Sequence, residues 1–228
     1  MLLSVIMPVY NEARTIDEII RRVMAVNIPK ELIIVDDGST DGTREKLRVL
    51  PPAEGLRVIF HERNQGKGAA VRTGLAAAKG DVMVIQDADL EYDPVEFHEL
   101  LRPILRGDAD VVFGSRLSGG RPQRMYLFWH KVANKFLCLV LNVLYNTTLT
   151  DMETCYKMFT RPVLEGLRLR SNGFDIEPEI TAKIFKRDWR VYEIPISYFG
   201  RTYKEGKKIR FADGLIALWT LFKYRFMD

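Results

Sequence analysis

The chain has 228 residues, 47% of them hydrophobic, enough to bury one large core and of a length that suits a single α/β domain. Its 34 Lys and Arg against 30 Asp and Glu leave a net charge of +4, too mild to point to nucleic acid, and the basic residues are not arranged as a reading helix with interleaved aromatics. The two cysteines, Cys138 and Cys155, have neither metal-site nor CxxC spacing, which excludes a disulfide scaffold and fits a reducing compartment.

In chain order, the apolar run over 2–8 ends at Pro8 and is followed by Asn11-Glu12, so it reads as a first strand and not as an export signal. Further short runs over 31–35, 56–61, 81–86 and 110–114 read as strands, several apolar on consecutive positions as central parallel strands require. Helical periodicity fits between them at 12–25, 43–50, 66–79 and 94–106. This rhythm predicts an open, mostly parallel sheet covered by helices on both faces, with right-handed crossovers and ligands bound beyond the carboxyl ends of the strands. The polar clusters fall at those ends: Tyr10-Asn11-Glu12, Asp36-Asp37-Gly38-Ser39, Asp87-Ala88-Asp89 and Ser115-Arg116. The second half is less regular, with a Gly- and Arg-rich gap over 117–124, a long apolar helix over 125–145, a strand at 155–160, a helix at 177–186, a strand at 190–197 and a final helix from 211. Residues 1–116 and 117–228 are thus expected to form two halves of one domain.

Two phosphate-binding motifs are absent. No GxGxxG follows the first strand, where Pro8-Val9-Tyr10-Asn11-Glu12 stands, so a dinucleotide is not expected. A P-loop would need glycine at His61 and Ser or Thr at Gly68 around Gly66-Lys67.

The acidic turn carries the chemistry. At the end of an extended strand Asp87 and Asp89 would project to one side, with Ala88 opposite. Two such carboxylates can share a hard divalent cation whose shell is completed by substrate phosphate and water. Asp36-Asp37-Gly38-Ser39 offers acceptors for a nucleoside base or ribose, while Asp41 suits the cap of the next helix. Lys67, between two glycines, either approaches the donor or is a solvated helix-start lysine.

Together the strings PVYNE (8–12), VDDGSTDGT (35–43), NQGKGAA (64–70), DADLEYDP (87–94) and GSR (114–116) resemble glycosyltransferase family 2. More closely they resemble its dolichyl-phosphate mannose synthase branch. The likeness continues through TDMETCYKMF (150–159), FDIEPEITAK (174–183) and EIPISYFGRTYKEGKK (193–208). It implies an inverting transferase of glycosyltransferase-A type fold, with a nucleotide pocket that includes Pro8, Tyr10, Glu12, Asp36 and Asp37. Mg2+ or Mn2+ would be held by Asp87 and Asp89, and acceptor and diphosphate would be met by Arg116 and Arg201. Glu91 departs from the Gln frequent in close mannose synthases and is expected beside the metal as a third acid.

A polyprenyl phosphate acceptor is already anionic at neutral pH, with a second pKa of about 6, and so requires no protein base. Arg116 and Arg124 are candidates to grip that phosphate, with His130 either a third contact or a helix residue whose polar edge is satisfied. The helix over 125–145 carries a narrow polar stripe of Lys131, Lys135, Asn142 and Asn146; it reads either as a core helix or as a lipid-facing one. The stretch 215–226, with Lys207, Lys208, Arg210, Lys223 and Arg225 about it, suits an anionic membrane surface. No run approaches the roughly 18–20 apolar residues that span a bilayer. The expectation is a cytoplasmic protein, free or on the cytoplasmic membrane face, moving mannose or glucose from a GDP- or UDP-sugar to polyprenyl phosphate. The rival enzyme reading is transfer to a soluble or glycan hydroxyl, for which Glu177 or Glu179 would serve as base; a non-catalytic nucleotide-sugar binder is the remote alternative.

Overall fold

The computed structural model describes residues 1–124, 128–202 and 211–227. Among the described residues seven strands, β1 (Leu3–Val9), β2 (Lys30–Asp36), β3 (Leu56–Phe60), β4 (Val82–Ile85), β5 (Val111–Ser115), β6 (Lys157–Thr160) and β7 (Val191–Pro195), form one sheet in the order β3-β2-β1-β4-β6-β5-β7. All neighbours are parallel except β6, which runs antiparallel to both β4 and β5. The expected mostly parallel architecture is therefore correct, and strands from both halves of the chain share the sheet. β1, β2, β4 and β5 are buried almost throughout, because helices cover both faces and a strand so enclosed gains by being apolar at every position.

Helices α1 (Ile16–Ala25), α2 (Thr43–Arg48), α3 (Lys67–Ala77) and α4 (Phe97–Leu105) fill the predicted places. α1 starts later than its periodicity suggested, because residues 12–15 form a turn in which the Thr15 N–H and hydroxyl both donate to Glu12. The predicted start at Pro94 is a 3-10 turn, capped by Asp93, whose carboxylate accepts from Val95 N at 3.1 Å. In the second half follow α5 (Phe128–Tyr145), α6 (Arg161–Gly166), α7 (Ile176–Phe185) and α8 (Phe211–Phe226). The short α6 gave no periodic signal. The first three residues assigned to the 125–145 helix, and Lys207, Lys208 and Arg210, lie outside the described residues.

α5 and α8 pack together, with the Tyr145 hydroxyl donating to Leu221 O at 2.8 Å. Leu137, Cys138 and Leu141 of α5 and Leu221 and Tyr224 of α8 point into the core. The other faces of both helices carry exposed Phe128, Trp129, Phe136 and Val143, and Leu215, Trp219 and Phe226, with Trp129 77% exposed. Among the described residues no helix is long and apolar enough to cross a membrane.

Two close backbone approaches shape the sheet's carboxyl rim. At Gly38, φ is +75° and a Cβ would lie 2.6 Å from Asn64 N; both the left-handed backbone and the space demand glycine. At Gly66 and Gly68 a Cβ would meet the carbonyl oxygens of Asn172 and Ser171. The glycines of NQGKGAA thus seat α3 against the 171–173 loop, whose carbonyls accept from Gly68 N and Ala69 N. Those two amides are satisfied by protein and are not turned toward a donor phosphate. Gly38→Ala is expected to lose about 2–4 kcal/mol, from left-handed strain and overpacking. For a chain of this size that is a fall in Tm of roughly 5–15 °C, measurable by calorimetry.

A candidate active site at the strand ends

A cavity of about 380 Å³ opens at the carboxyl ends of the strands, the position expected for this architecture. It is lined by Pro8, Tyr10 and Glu12 after β1, Asp37 after β2, Lys67 at the start of α3, Asp87, Asp89 and Glu91 after β4, Arg116 after β5, and Arg201. The sequence-predicted residues are thus largely brought together. Three are not: Asp36, Arg124 and His130 do not line this cavity.

Asp36 is fully buried at the end of β2, where its carboxylate accepts from Arg44 Nε at 2.6 Å and from Ser39 N at 3.3 Å. Its neighbour Asp37 faces the cavity but is also engaged: Oδ1 takes Gln65 N (2.9 Å) and lies 2.7 Å from His61 Nδ1, and Oδ2 takes Gly66 N (2.7 Å). Asp37 therefore fixes the 64–66 loop against the second strand. Arg124 donates to Gly200 O at 3.1 Å, and its backbone N to Tyr198 O at 2.9 Å, so it braces the segment leading to Arg201. His130 lies in the first turn of α5.

The acidic turn is wired to two cations. Lys67 Nζ lies 2.8 Å from Asp87 Oδ1 and 3.0 Å from Glu177 Oε1. Burial alone would lower the Lys67 pKa, but the Asp87 and Glu177 charges outweigh it and raise it well above the usual lysine value. For Asp87 burial acts upward and the Lys67 charge wins, leaving a lowered pKa. Arg201 reaches Asp89 Oδ2 at 2.9 Å and grips Glu12 with two nitrogens at 3.0 and 3.2 Å. One guanidinium facing several acids does not balance them. Burial, then the charges of Glu91 and Asp87, push the Asp89 carboxyl up to about 7, with Arg201 offsetting only part.

Glu91 was expected as a third metal ligand, and its carboxylate is committed elsewhere. Oε2 accepts from the Tyr198 hydroxyl and Oε1 from Arg201 N, both at 2.6 Å. Leu90 has φ of +62°, which breaks the extended run that would have put Glu91 on the same side as Asp87 and Asp89. Among the described residues no three His, Cys, Asp or Glu form a metal cage. Asp87 and Asp89 remain as hard oxygen donors with surplus negative charge, a set that fits a divalent cation taking the rest of its shell from phosphate and water.

Arg116 gives Nε and Nη2 to the two oxygens of Asp151, both at 2.7 Å, and stacks over Tyr198, 5.0 Å from the ring centroid. Asp151 also accepts from Asn134 Nδ2 of α5 at 2.7 Å. Of the two carboxylates considered as bases, Glu179 is fully buried and accepts from Arg170 N, Ser171 N and Lys183, away from the cavity. Glu177 reaches the cavity, held by Lys157 Nζ at 2.6 Å and by Lys67. Sequence reasoning did not single out the cavity residues Asn64, Tyr92, Glu153, Phe174 and Tyr198. All five lie inside the strings NQGKGAA, DADLEYDP, TDMETCYKMF, FDIEPEITAK and EIPISYFGRTYKEGKK, each as an isolated polar or aromatic residue with no local pattern.

The chain is similar to known proteins along most of its length. Over 211 residues the chain is 31% identical to the dolichol-phosphate mannosyltransferase of Pyrococcus furiosus, covering 91% of this chain and 59% of that protein. It is 32% identical over 203 residues to the low-salt glycan biosynthesis hexosyltransferase Agl6 of Haloferax volcanii, covering 87% and 48%. It is 29% identical over 212 residues to the undecaprenyl-phosphate 4-deoxy-4-formamido-L-arabinose transferase of Aeromonas hydrophila, covering 90% and 62%. The chain thus spans about half to three-fifths of the length of these relatives. Its fold is similar to that of glucosyl-3-phosphoglycerate synthase from Mycobacterium tuberculosis in complex with Mn2+, UDP and phosphoglyceric acid, at a TM-score of 0.75 and 22% identity, covering 100% of this chain and 79% of that one. The architecture is of the glycosyltransferase-A type. The family profile "Glycosyl transferase family 2" matches residues 4–168, and with this strand-end site the chain belongs to glycosyltransferase family 2.

Proposed function

We propose that this transferase moves a sugar, mannose or glucose, from a GDP- or UDP-sugar to a polyprenyl phosphate with inversion, using Mg2+ or Mn2+. The observation that carries the reading is the connection between the acceptor-side arginine and the apolar helix pair. Arg116 lines the cavity and is held by Asp151, which also binds Asn134 of α5. The same helix exposes Phe128, Trp129 and Phe136, a surface suited to a lipid phase. Two curated relatives whose names specify dolichol-phosphate or undecaprenyl-phosphate support the same acceptor class.

In this reading the donor nucleoside meets Pro8, Tyr10, Glu12 and Asp37. Asp87 and Asp89 would hold the divalent cation, which when bound would supply charge stabilisation for the leaving diphosphate. Lys67 and Arg201 add positive charge beside those carboxylates, where departing negative charge develops. Arg116 meets the acceptor phosphate, which carries at least one negative charge when it arrives. Catalysis then draws on alignment of the attacking oxygen with the anomeric carbon. α5 and α8 lie on the membrane surface, with Lys131, Lys135, Lys223 and Arg225 toward anionic headgroups.

A panel of GDP- and UDP-sugars incubated with polyprenyl phosphate and Mn2+ should yield lipid-linked sugar with one donor. Transfer only to a soluble or glycan hydroxyl would instead establish the rival acceptor. Asp89→Asn should lower turnover by about a thousandfold or more, on the scale of losing a principal electrostatic contact in the transition state, with Tm retained. Because a proton and a cation compete for a carboxyl near pKa 7, the Tm gain on adding Mn2+ should grow as pH rises from about 6 to 8. Without the cation the sign is opposite: a carboxyl raised in the folded state contributes stability at low pH that is lost as pH climbs through about 7. Asp89→Asn should show neither trend. Flotation with vesicles containing anionic lipid should carry the protein, and replacing both Trp129 and Trp219 by Ser should weaken that binding on the order of a thousandfold, since each buried aromatic contributes on the order of 2 kcal/mol. Protein that stays with the aqueous fraction would sink the membrane assignment.

A further inference from the structure

Among the described residues seven carboxylates line the cavity, and six are engaged. Glu12 and Asp89 meet Arg201, Asp87 and Glu177 meet Lys67, Asp37 meets the 65–66 amides, and Glu91 meets Tyr198 and Arg201. Glu153 differs: among the described residues it makes no hydrogen bond or ion pair, and its Oε1 is buried without a partner. Its loop is pinned on either side, by Met152 N donating to Cys138 Sγ at 3.2 Å and Cys155 N donating to the Tyr92 hydroxyl at 3.1 Å.

The charged groups around Glu153 come from four other elements or segments and its own loop. Lys157 of β6 is spent on Met152 O, Thr154 O and Glu177, and Arg116 after β5 is spent on Asp151. Glu177 of α7 and Asp151 add like charge, and Cys138 of α5 stays neutral because burial pushes its thiol up to about 12. Burial, only partly relieved by Lys157, pushes the Glu153 carboxyl up to about 7. Glu153 is half-buried, and its one enclosed, unpartnered oxygen costs stability; such costs concentrate where a site uses the group.

We propose that Glu153 is the acceptor-side base, taking the proton from the acceptor as its oxygen bonds to the anomeric carbon. The proposal rests on the transferase reading above. For a phosphate monoester carrying one proton, the O–H bond breaks and the proton passes to the Glu153 carboxylate. The freed electron pair forms the O–C bond, and the bond from carbon to the nucleoside diphosphate breaks with its pair leaving on the diphosphate. The proton then returns to water. An acceptor phosphate entering beside a buried carboxylate cannot keep both groups fully ionised. The two share one proton, and their similar pKa values ease its transfer.

The test compares wild type with Glu153→Gln and Glu153→Asp from pH 5.5 to 8.5 at saturating Mn2+, which holds Asp89 ionised. Glu153→Gln should lose about a hundredfold or more in kcat, keep the donor KM, and lose the acidic limb near pH 7. Glu153→Asp should retain that limb at intermediate kcat. At pH 8 the Tm of Glu153→Gln should equal or exceed that of wild type, since a buried charge has been removed. A Glu153→Gln enzyme within about threefold of wild type, or one keeping the acidic limb, overturns the assignment. The wild-type product separately identifies the acceptor: absence of lipid-linked sugar overturns the acceptor reading, while Glu153 is judged on whichever acceptor turns over, or on donor hydrolysis when none does.

Discussion

One guanidinium holds three separate parts of the chain together. Arg201, beyond β7, bridges Glu12 in the turn after β1 and Asp89 after β4, and its backbone N–H fixes Glu91. The arrangement leaves more negative than positive charge in a partly dry site, and this imbalance sets the Asp89 pKa and makes a further cation favourable there. It is also an assembly constraint. Truncating Arg201 would strand its carboxylate partners, and breaking a buried pair in this way costs on the order of 3–5 kcal/mol.

A second chain of alternating charges runs deeper. Asp87, Lys67, Glu177 and Lys157 follow one another through ion pairs of 2.8, 3.0 and 2.6 Å, and Lys157 is fully buried. Lys67 is therefore held at a fixed place by α7, rather than waving from a helix start. Glu177 balances two lysines, which suits it to positioning, whereas Glu153, a short distance along the chain from Lys157, has no such duty.

The parallel strands were legible because a strand enclosed on both faces must be apolar at each position, and 31–35 and 110–114 read that way. Asp36 and Asp37 show where legibility ends. Adjacent residues at a strand end project to opposite sides, so only one could face the ligand, and the strand's last residue decides which. Glu91 failed for a related reason: the left-handed Leu90 is invisible in composition, and it turns the third acid of a regular spacing toward Tyr198. The antiparallel insertion of β6 left no mark either, since four residues of KMFT carry no direction. Pairings across 70 residues or more, such as Tyr156 with Gln86, have no local sequence signature.

That insertion has a consequence for the order of events as the chain is made. Among the described residues β5 pairs only with β6 and β7, both of which are synthesised later. A ribosome that has released residues 1–116 has delivered the acidic turn but leaves β4 with one unsatisfied edge and β5 with two. Such edges invite aberrant association. The sheet is complete only after residue 195 has emerged, and Arg201, which ties Glu12 to Asp89, follows it, so the strand-end cavity assembles after most of the chain has been made.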